Sequence, residues 1–526
     1  MQIRGVMPTV EELGSAPELE VLVDAWLSDE AFLRTVEDLA AELLLLRTDT
    51  RHQLPVLGPL AVAGLDQAEV YRATVEAPLR FASTLVAEDR PWTEVLTADW
   101  TLTNSTLAAI YGLDHDPDGP EWQRTTWTDG RPMAGWLSDS EVWRRHVSNG
   151  SNFHRGRAAF VADTFLCDDI AGRELSVAGT VDITDEAQVA QAVRDQPACA
   201  GCHQTLDPLA AFFWGYKEQI MRNAVLDAYA MDCTWDWSLG EPDRGAYRPE
   251  HFCYPLQLFD VSEEQGWQDW DLRGPGFYGQ PLGDLRDLGA AIVDDPRFAT
   301  CTARTFYAYL TQVERDQVSD SLALELADVL TSSDWSIRAL TRAIVLHPTQ
   351  SRRDATGPMI TRPEQYARTL HDLTGFRWET DLDPIGCQGS PNSCWGTVDL
   401  LSSDLFGFRA LMGGVDGSAV LDPTHWPTPT RTLAVQALAA EAAGWIVAED
   451  FARPSEDRRL FGGIDTDAND DEIRAHMVWL HGRVLGEPDA DVEATWELFV
   501  DVRDRSDTDT AWRVVLTAMF EDLDGW

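Results

Sequence analysis

Apolar positions recur along most of this chain at helical spacing. Leu19, Leu22, Val23 and Trp26, then Phe32, Leu33, Val36, Leu39 and Leu43, fall three or four residues apart. This predicts two amphipathic helices across 19–47, joined at Ser28-Asp29. The same period predicts helices over 66–88, 156–167, 184–195, 297–312, 319–331, 334–346, 362–374, 430–448, 470–485 and 489–504. Ser, Thr or Asp stands at or before the start of several, where a side-chain oxygen can cap orphan backbone N–H groups. Strict alternation is rare. Arg124-Thr125-Thr126-Trp127 reads as a short strand, and so does the run from Leu175 to Ile183, where Leu175, Val177, Val181 and Ile183 share one face. The predicted class is mainly α, a multi-domain helical protein with long irregular loops.

At 526 residues the chain exceeds one ordinary core, and roughly 150 residues per domain gives about three domains. Gly, Pro and Asp concentrate in 232–285, a stretch that also holds Trp235, Trp237, Trp267 and Trp270, and again near 347–363 and 378–396. The expected division is an N-terminal helical domain over 1–135, a domain over 136–231 around a C-x-x-C-H motif, and an irregular Trp/Pro-rich connector over 232–285. A helical domain over 286–360 and a C-terminal helical domain over 361–526 complete it. No period of 20 to 50 residues repeats, which argues against a solenoid.

Charge changes the picture more than composition does. Asp and Glu number 88 against 41 Lys and Arg, a net of −47 spread along the whole chain. Such a surface repels nucleic acid and anionic lipid, so no nucleic-acid partner is expected. It suits a saline or extracellular habitat, and it also suits a cationic partner. No stretch reaches the ~18 consecutive apolar residues of a membrane span, so no transmembrane segment is expected. The opening Met1 to Pro8 lacks the apolar stretch of a secretory signal; given the motif below, it is read as a sequence whose signal has been removed.

The eight cysteines are Cys167, Cys199, Cys202, Cys233, Cys253, Cys301, Cys387 and Cys394. Cys387 and Cys394 bracket a polar turn, and Cys233 and Cys253 flank a Gly/Pro/Asp loop, which suggests two local disulfides. Elimination then pairs Cys167 with Cys301, and six buried free thiols are the alternative. Cys199-Ala200-Gly201-Cys202-His203 has a direct chemical logic. Two thiols one helical turn apart can add to two vinyl groups, and the adjacent imidazole lies under the iron. This predicts one covalent haem c, with Cys199 and Cys202 as tethers and His203 as proximal ligand. Half of a zinc site is one alternative, but no second C-x-x-C or H-x-x-x-H is present. A thioredoxin-like redox pair is another, although it calls for a βαβ setting. Met221 is the candidate second iron ligand, with Met231, His154 and His146 as further candidates. Core packing is the plain reading of Met221, and a structural hydrogen bond that of His154.

Around the motif a family resemblance emerges. Asn152-Phe153-His154-Arg155-Gly156-Arg157, Phe165-Leu166-Cys167, Pro197 to His203 and Leu206-Asp207-Pro208 together resemble the planctomycete- and myxobacterial-type cytochrome-c-like domain of unknown function fifteen-eighty-eight. Phe81 to Leu85, Asp99 to Asn104 and Leu107 to Gly112 resemble its partner domain fifteen-ninety-two. Arg297 to Cys301 with Ile337 to Val345 resembles the fifteen-eighty-five domain. Phe408 to Gly417 is similar to a segment of myxobacterial members. The resemblance implies an exported, haem-bearing protein with a cytochrome-c-like segment and no established reaction. Ala210 departs from the family's Gly, and Val193 stands where many members have a His. Arg155 is assigned to a haem propionate, with an ordinary helix-start arginine as the alternative.

Two acidic runs are candidates for calcium. Asp114-His115-Asp116-Pro117-Asp118-Gly119 opens like a calcium loop but has Thr125 at position twelve, and a solvated turn is the alternative. Asp465 to Glu472 lacks the Gly and reads as a helix N-terminus. No G-x-S-x-G, P-loop or G-x-G-x-x-G is present. The function expected is an exported, extracytoplasmic monohaem cytochrome-like protein for electron transfer or haem-dependent oxidation, its redox partner or substrate unknown. The alternative is a secreted acidic binding or scaffold protein with a structural haem or none. An open cavity lined by Phe212, Phe213 and Trp214 would favour an enzyme, and a large acidic groove a scaffold.

Overall fold

Helices dominate because apolar stripes find partners. In the computed structural model, which describes all residues except 1–2, 10, 13–17, 49–59, 61–62, 149–151, 174–183, 218–254, 257, 271, 350–359, 382–396, 402–405, 418, 466, 488 and 524–526, α1 (Leu19–Leu27) and α2 (Glu30–Leu43) meet at Ser28-Asp29 as the periodicity predicts. The Asp29 carboxylate accepts from Ala31 N–H to start α2. α3 (Gln67–Ala87) opens on a reciprocal Asp66/Glu69 capping box and packs along α2.

After the short α4 (Glu94–Thr97), β1 (Thr101–Thr103), α5 (Ser105–Tyr111) and β2 (Gln123–Thr125), the chain enters α6 (Ser140–Arg145) and α7 (Arg155–Leu166). α8 (Glu186–Asp195) and α9 (Pro197–Ala210) follow. A small hairpin of β3 (Gly276–Phe277) and β4 (Gln280–Pro281) then leads to α10 (Leu285–Asp294), α11 (Pro296–Thr311), α12 (Asp320–Ser332) and α13 (Ile337–Leu346). The last part holds α14 (Pro363–Thr374), β5 (Glu379–Asp381), β6 (Thr397–Asp399), α15 (Phe408–Leu411), α16 (Pro429–Phe451), α17 (Asp470–Leu480), α18 (Glu493–Arg505) and α19 (Thr508–Asp522). Each described sheet is an antiparallel pair, with Leu102 opposite Arg124, Phe277 opposite Gln280 and Thr380 opposite Val398.

Two large apolar clusters organise these elements. One is drawn from residues between Ile3 and Ile344, with Trp92 in edge contact with Trp136 and Phe306 at its centre. The other joins Leu438, Ala442 and Ile446 of α16 to Trp512, Val515 and Met519 of α19. A smaller cluster gathers Leu60, Val70, Ile110 and Leu256. Close approach in the first cluster requires glycine. A Cβ on Gly289 of α10 would strike the Leu96 carbonyl, and one on Gly135, at φ +52°, the Val95 carbonyl.

The mainly α expectation holds, and helices lie in each predicted helical run. Seven of the described helices fall outside the predicted runs: the short α4, α5, α6 and α15, and the longer α9, α10 and α19. Arg124 and Thr125 are in a strand as expected, while Thr126 and Trp127 lie past its end. The expected strand Leu175 to Ile183, and the pairs Cys233/Cys253 and Cys387/Cys394, lie outside the described residues. In the predicted connector, the described residues of 255–284 hold two short 3-10 turns and the β3–β4 hairpin and are anchored: Leu256, Leu258 and Phe259 are buried, and Phe259 bridges to Tyr216. No helix among the described residues is long and apolar enough to cross a membrane.

Candidate functional site

The motif occupies the start of α9. Gln196 stays extended and Pro197 takes the first helical position, where its missing N–H costs nothing and its fixed φ suits the helix. Cys199 therefore lies in the first turn, with Cys202 three residues on. Both are free thiols and partly exposed. Steps of four place Cys199, His203 and Asp207 on one stripe, about 6 Å of helix apart per step. On the other side Leu209 and Ala210 are buried, and α9 packs on α7 and α8.

Asp207 anchors that stripe. Its Oδ1 lies 3.0 Å from His203 Nδ1 and accepts the Arg155 Nε–H at 2.7 Å. Burial pushes the Asp207 carboxyl up, but the hydrogen bonds from His203 and Arg155 outweigh it and hold the group below the usual carboxylate range. The sequence quoted Arg155 and Asp207 separately, and the structure joins them across 52 residues of chain. With Nδ1 directed at Asp207, the His203 tautomer protonated there leaves Nε2 as a proton acceptor.

His154 serves another purpose. It begins α7 at φ 61°, is 1% exposed, and its Nδ1 sits 3.0 Å from Arg157 Nη1. Burial and the Arg157 charge push its imidazole down to about 2, so it is neutral and accepts that hydrogen bond. Arg157 also donates to the carbonyls of His146, Trp143 and Lys217. His154 and Arg157 thus form a buried clamp, while Arg155 bonds to Asp207 on the cysteine helix. His146 stacks on Phe160 with ring centroids 3.6 Å apart. Met221 and Met231 lie outside the described residues.

The cofactor expectations are corrected. Among the described residues no three His, Cys, Asp or Glu side chains gather in a group able to hold a metal ion, which overturns both the covalent haem c and the calcium loop. At the motif, no His, Cys, Asp or Glu from another described element joins Cys199, Cys202, His203 and Asp207 in a metal-holding group, and His203 Nδ1 is turned to Asp207. His154, a candidate for the opposite iron face, is committed to Arg157 inside the protein. Phe212 and Phe213 are both buried, and Phe213 packs on Trp143 with centroids 4.4 Å apart. At the calcium candidate, Asp116 accepts from Asp118 N–H while Gln123 closes the turn onto the Asp116 and Pro120 carbonyls. The second acidic run is a helix start, where Asn469 and Glu472 form a capping box on α17.

The expected Cys167–Cys301 pairing is present as a disulfide, with Cα atoms 5.4 Å apart. It ties the end of α7 to α11. Compared with known protein families, curated proteins and solved structures, the chain matches none.

Proposed function

We propose that this is an exported thiol–disulfide redox protein in which Cys199 attacks, Cys202 resolves, and His203, Asp207 and Arg155 support the attack. The observation that carries the reading is the stripe on α9: a first-turn cysteine, an imidazole four residues on, and a carboxylate four beyond that, fixed by Arg155. The positive end of a helix dipole favours an anion in the first turn, and we assign the His203 imidazole, four residues on, as the acceptor of the Cys199 thiol proton. An oxidising compartment is supported by the Cys167–Cys301 disulfide.

The reaction balances without any other cofactor. Cys199 thiolate attacks a disulfide of an exported partner, forming a mixed disulfide and releasing one partner thiolate. Cys202 thiolate then attacks the Cys199 sulfur, releasing the second. The partner gains two electrons and two protons, and the protein is left with a Cys199–Cys202 disulfide.

Equilibration of the purified protein in glutathione buffers, followed by alkylation and intact mass, tests this. Reversible interconversion of dithiol and disulfide at this pair, with Cys202→Ser trapping glutathione on Cys199 and Cys199→Ser trapping little, is the expected result. Thiols that do not oxidise reversibly, or equal trapping in both variants, would refute it.

A further inference from the structure

An aromatic surface adjoins the thiol stripe. From the cysteine helix the contacts run outward without a break. His203 and Arg155 meet on Asp207, and the Arg155 guanidinium lies over Phe153 with Cζ 5.2 Å from the ring centroid. Phe153 in turn meets Trp270 at 5.4 Å between centroids and stacks on Trp214 with ring planes 20° apart. The 3-10 turn Gly266–Trp270 is seated against Trp214, since a Cβ on Gly266 would come within 2.9 Å of that ring. The turn ends in the open: Trp270 is 59% exposed, while Phe153 and Trp214 are half-buried.

Indole is costly to leave in water, and exposed aromatic surface marks sites of interaction. The charge around the rings selects the occupant. The segment 260–273, which builds the turn, carries Asp260, Glu263, Glu264, Asp269 and Asp271 against Arg273 alone, on a chain of net charge −47. That field repels an acidic partner and a second copy of the chain alike. Arg155, the cation over Phe153, is held by Asp207. A cationic side chain arriving from outside gains twice, from the carboxylates and from the negative face of the indole.

We propose that this surface receives a basic segment of a partner polypeptide, with a lysine or arginine side chain against the exposed Trp270. That the partner is the one whose disulfide Cys199 attacks rests on the thiol–disulfide reading above; the surface itself does not. The geometry sets where the basic residue lies. Cys199 and Asp207 are eight residues apart, about 12 Å along the helix. The path through Arg155 and Phe153 to Trp270 adds steps of 5.2 and 5.4 Å. An extended chain, at about 3.3 Å per residue, covers this reach in roughly four to seven residues. The substrate class is an exported polypeptide with Lys or Arg at that distance from a disulfide cysteine.

Two rhodamine-labelled ten-residue peptides test this with the full-length protein at fixed ionic strength. Each has serine in place of the cysteine; one carries Lys-Lys six residues on, and the other Gln-Gln. Fluorescence anisotropy should show saturable binding of the Lys peptide, about tenfold tighter than the Gln peptide. Trp270→Ala keeps every charge and should weaken it about five- to tenfold. Trp426→Ala, at an exposed tryptophan elsewhere, should bind as wild type. No saturable binding, or binding that Trp270→Ala leaves unchanged, would overturn the proposal, the latter being the behaviour of a diffuse counterion cloud. The same peptides with cysteine restored, as its mixed disulfide with glutathione, separate the two readings. Faster attack by the reduced protein on the Lys peptide, with the preference falling toward one in Trp270→Ala, supports both. Equal rates for the two peptides would remove the substrate assignment and leave the redox reading. Trp270-dependent binding with no exchange of either disulfide would leave the basic-segment surface and remove the redox reading.

Discussion

Two cysteine pairs in this protein share one chemistry and differ in everything around it. Cys167 and Cys301 stand 134 residues apart, are bridged, and Cys301 is 2% exposed. Cys199 and Cys202 stand three apart on one helix, unbridged and partly exposed. The first pair closes a long loop between helices; the second sits beside an imidazole and a carboxylate. Both pairs are connected to α7, whose end carries Cys167 and whose start carries Arg155. The contrast teaches that the role of a thiol here is set by its neighbours and by the loop it would close, and that one helix positions both pairs.

The largest expected effect separates the two pairs by stability. Replacing Cys167 and Cys301 by alanine should lower the unfolding free energy by about 2–5 kcal/mol, as expected for loss of a bond closing a long loop. Cys199→Ser and Cys202→Ser should each cost less than about 1 kcal/mol, since both sites are partly exposed. Urea unfolding of the three proteins checks the ranking, and an inverted ranking would break the comparison.

The next effect lies at Asp207. Asp207→Asn removes the charge that holds Arg155 and His203, and the expected loss is about 1–2 kcal/mol near neutral pH. The pH dependence follows from the direction of its shift. The folded-state pKa is depressed, so the stabilisation is present above the unfolded value near ~3.9 and is lost as pH falls through the folded value. Acid unfolding curves of the wild type should carry this contribution in the window just below ~4, and Asp207→Asn should lack it. Identical acid limbs would show that the carboxylate is not engaged as the geometry has it.

How much of this could be read along the chain differs between the two pairs. The helices with long apolar stripes were legible, because burial on one face imposes a 3.6-residue period. Two of the missed helices carried the signal too: Trp512, Val515, Leu516, Met519 and Phe520 follow an Asp507 cap, and Leu285, Leu288 and Ile292 follow Asp284. α9 was harder, since Cys-Ala-Gly-Cys-His carries little apolar period and its buried residues cluster at the end. The Cys167–Cys301 bond was reachable by elimination. The stripe Cys199, His203, Asp207 was legible as spacing, but its anchor Arg155 was not, because nothing local ties residue 155 to 207. Two thiols and a His at this spacing suit a haem, and spacing alone does not show whether donors from other elements complete a metal site; among the described residues none do. The aromatic surface was beyond reach, as Phe153, Trp214 and Trp270 come from distant segments.

A smaller effect concerns the thiol side of the comparison. Arg155→Met should leave Asp207 accepting from His203 alone, so the imidazole is oriented less firmly. The rate of Cys199 alkylation by iodoacetamide should fall about two- to fivefold, with little change at Cys202. A purely structural role for Arg155 would slow neither thiol selectively.

The smallest effect is the difference between Cys199 and Cys202 in the unmodified protein. Cys199 lies in the first turn of α9, where unpaired backbone N–H groups and the helix dipole favour an anion. Cys202 lies a turn further on and packs against the first apolar cluster, which disfavours charge and hinders attack. Both residues share one helix, one solvent and one neighbouring His203, so their ratio isolates position along the helix from everything else. Iodoacetamide labelling followed by peptide mass analysis should modify Cys199 a few times faster than Cys202. The ratio should shrink in the Asp207→Asn variant, because His203 would then lose the carboxylate that fixes its imidazole. Faster labelling of Cys202 would reverse the assignment of attacking and resolving sulfur while leaving the distinction between the bridged and unbridged pairs intact.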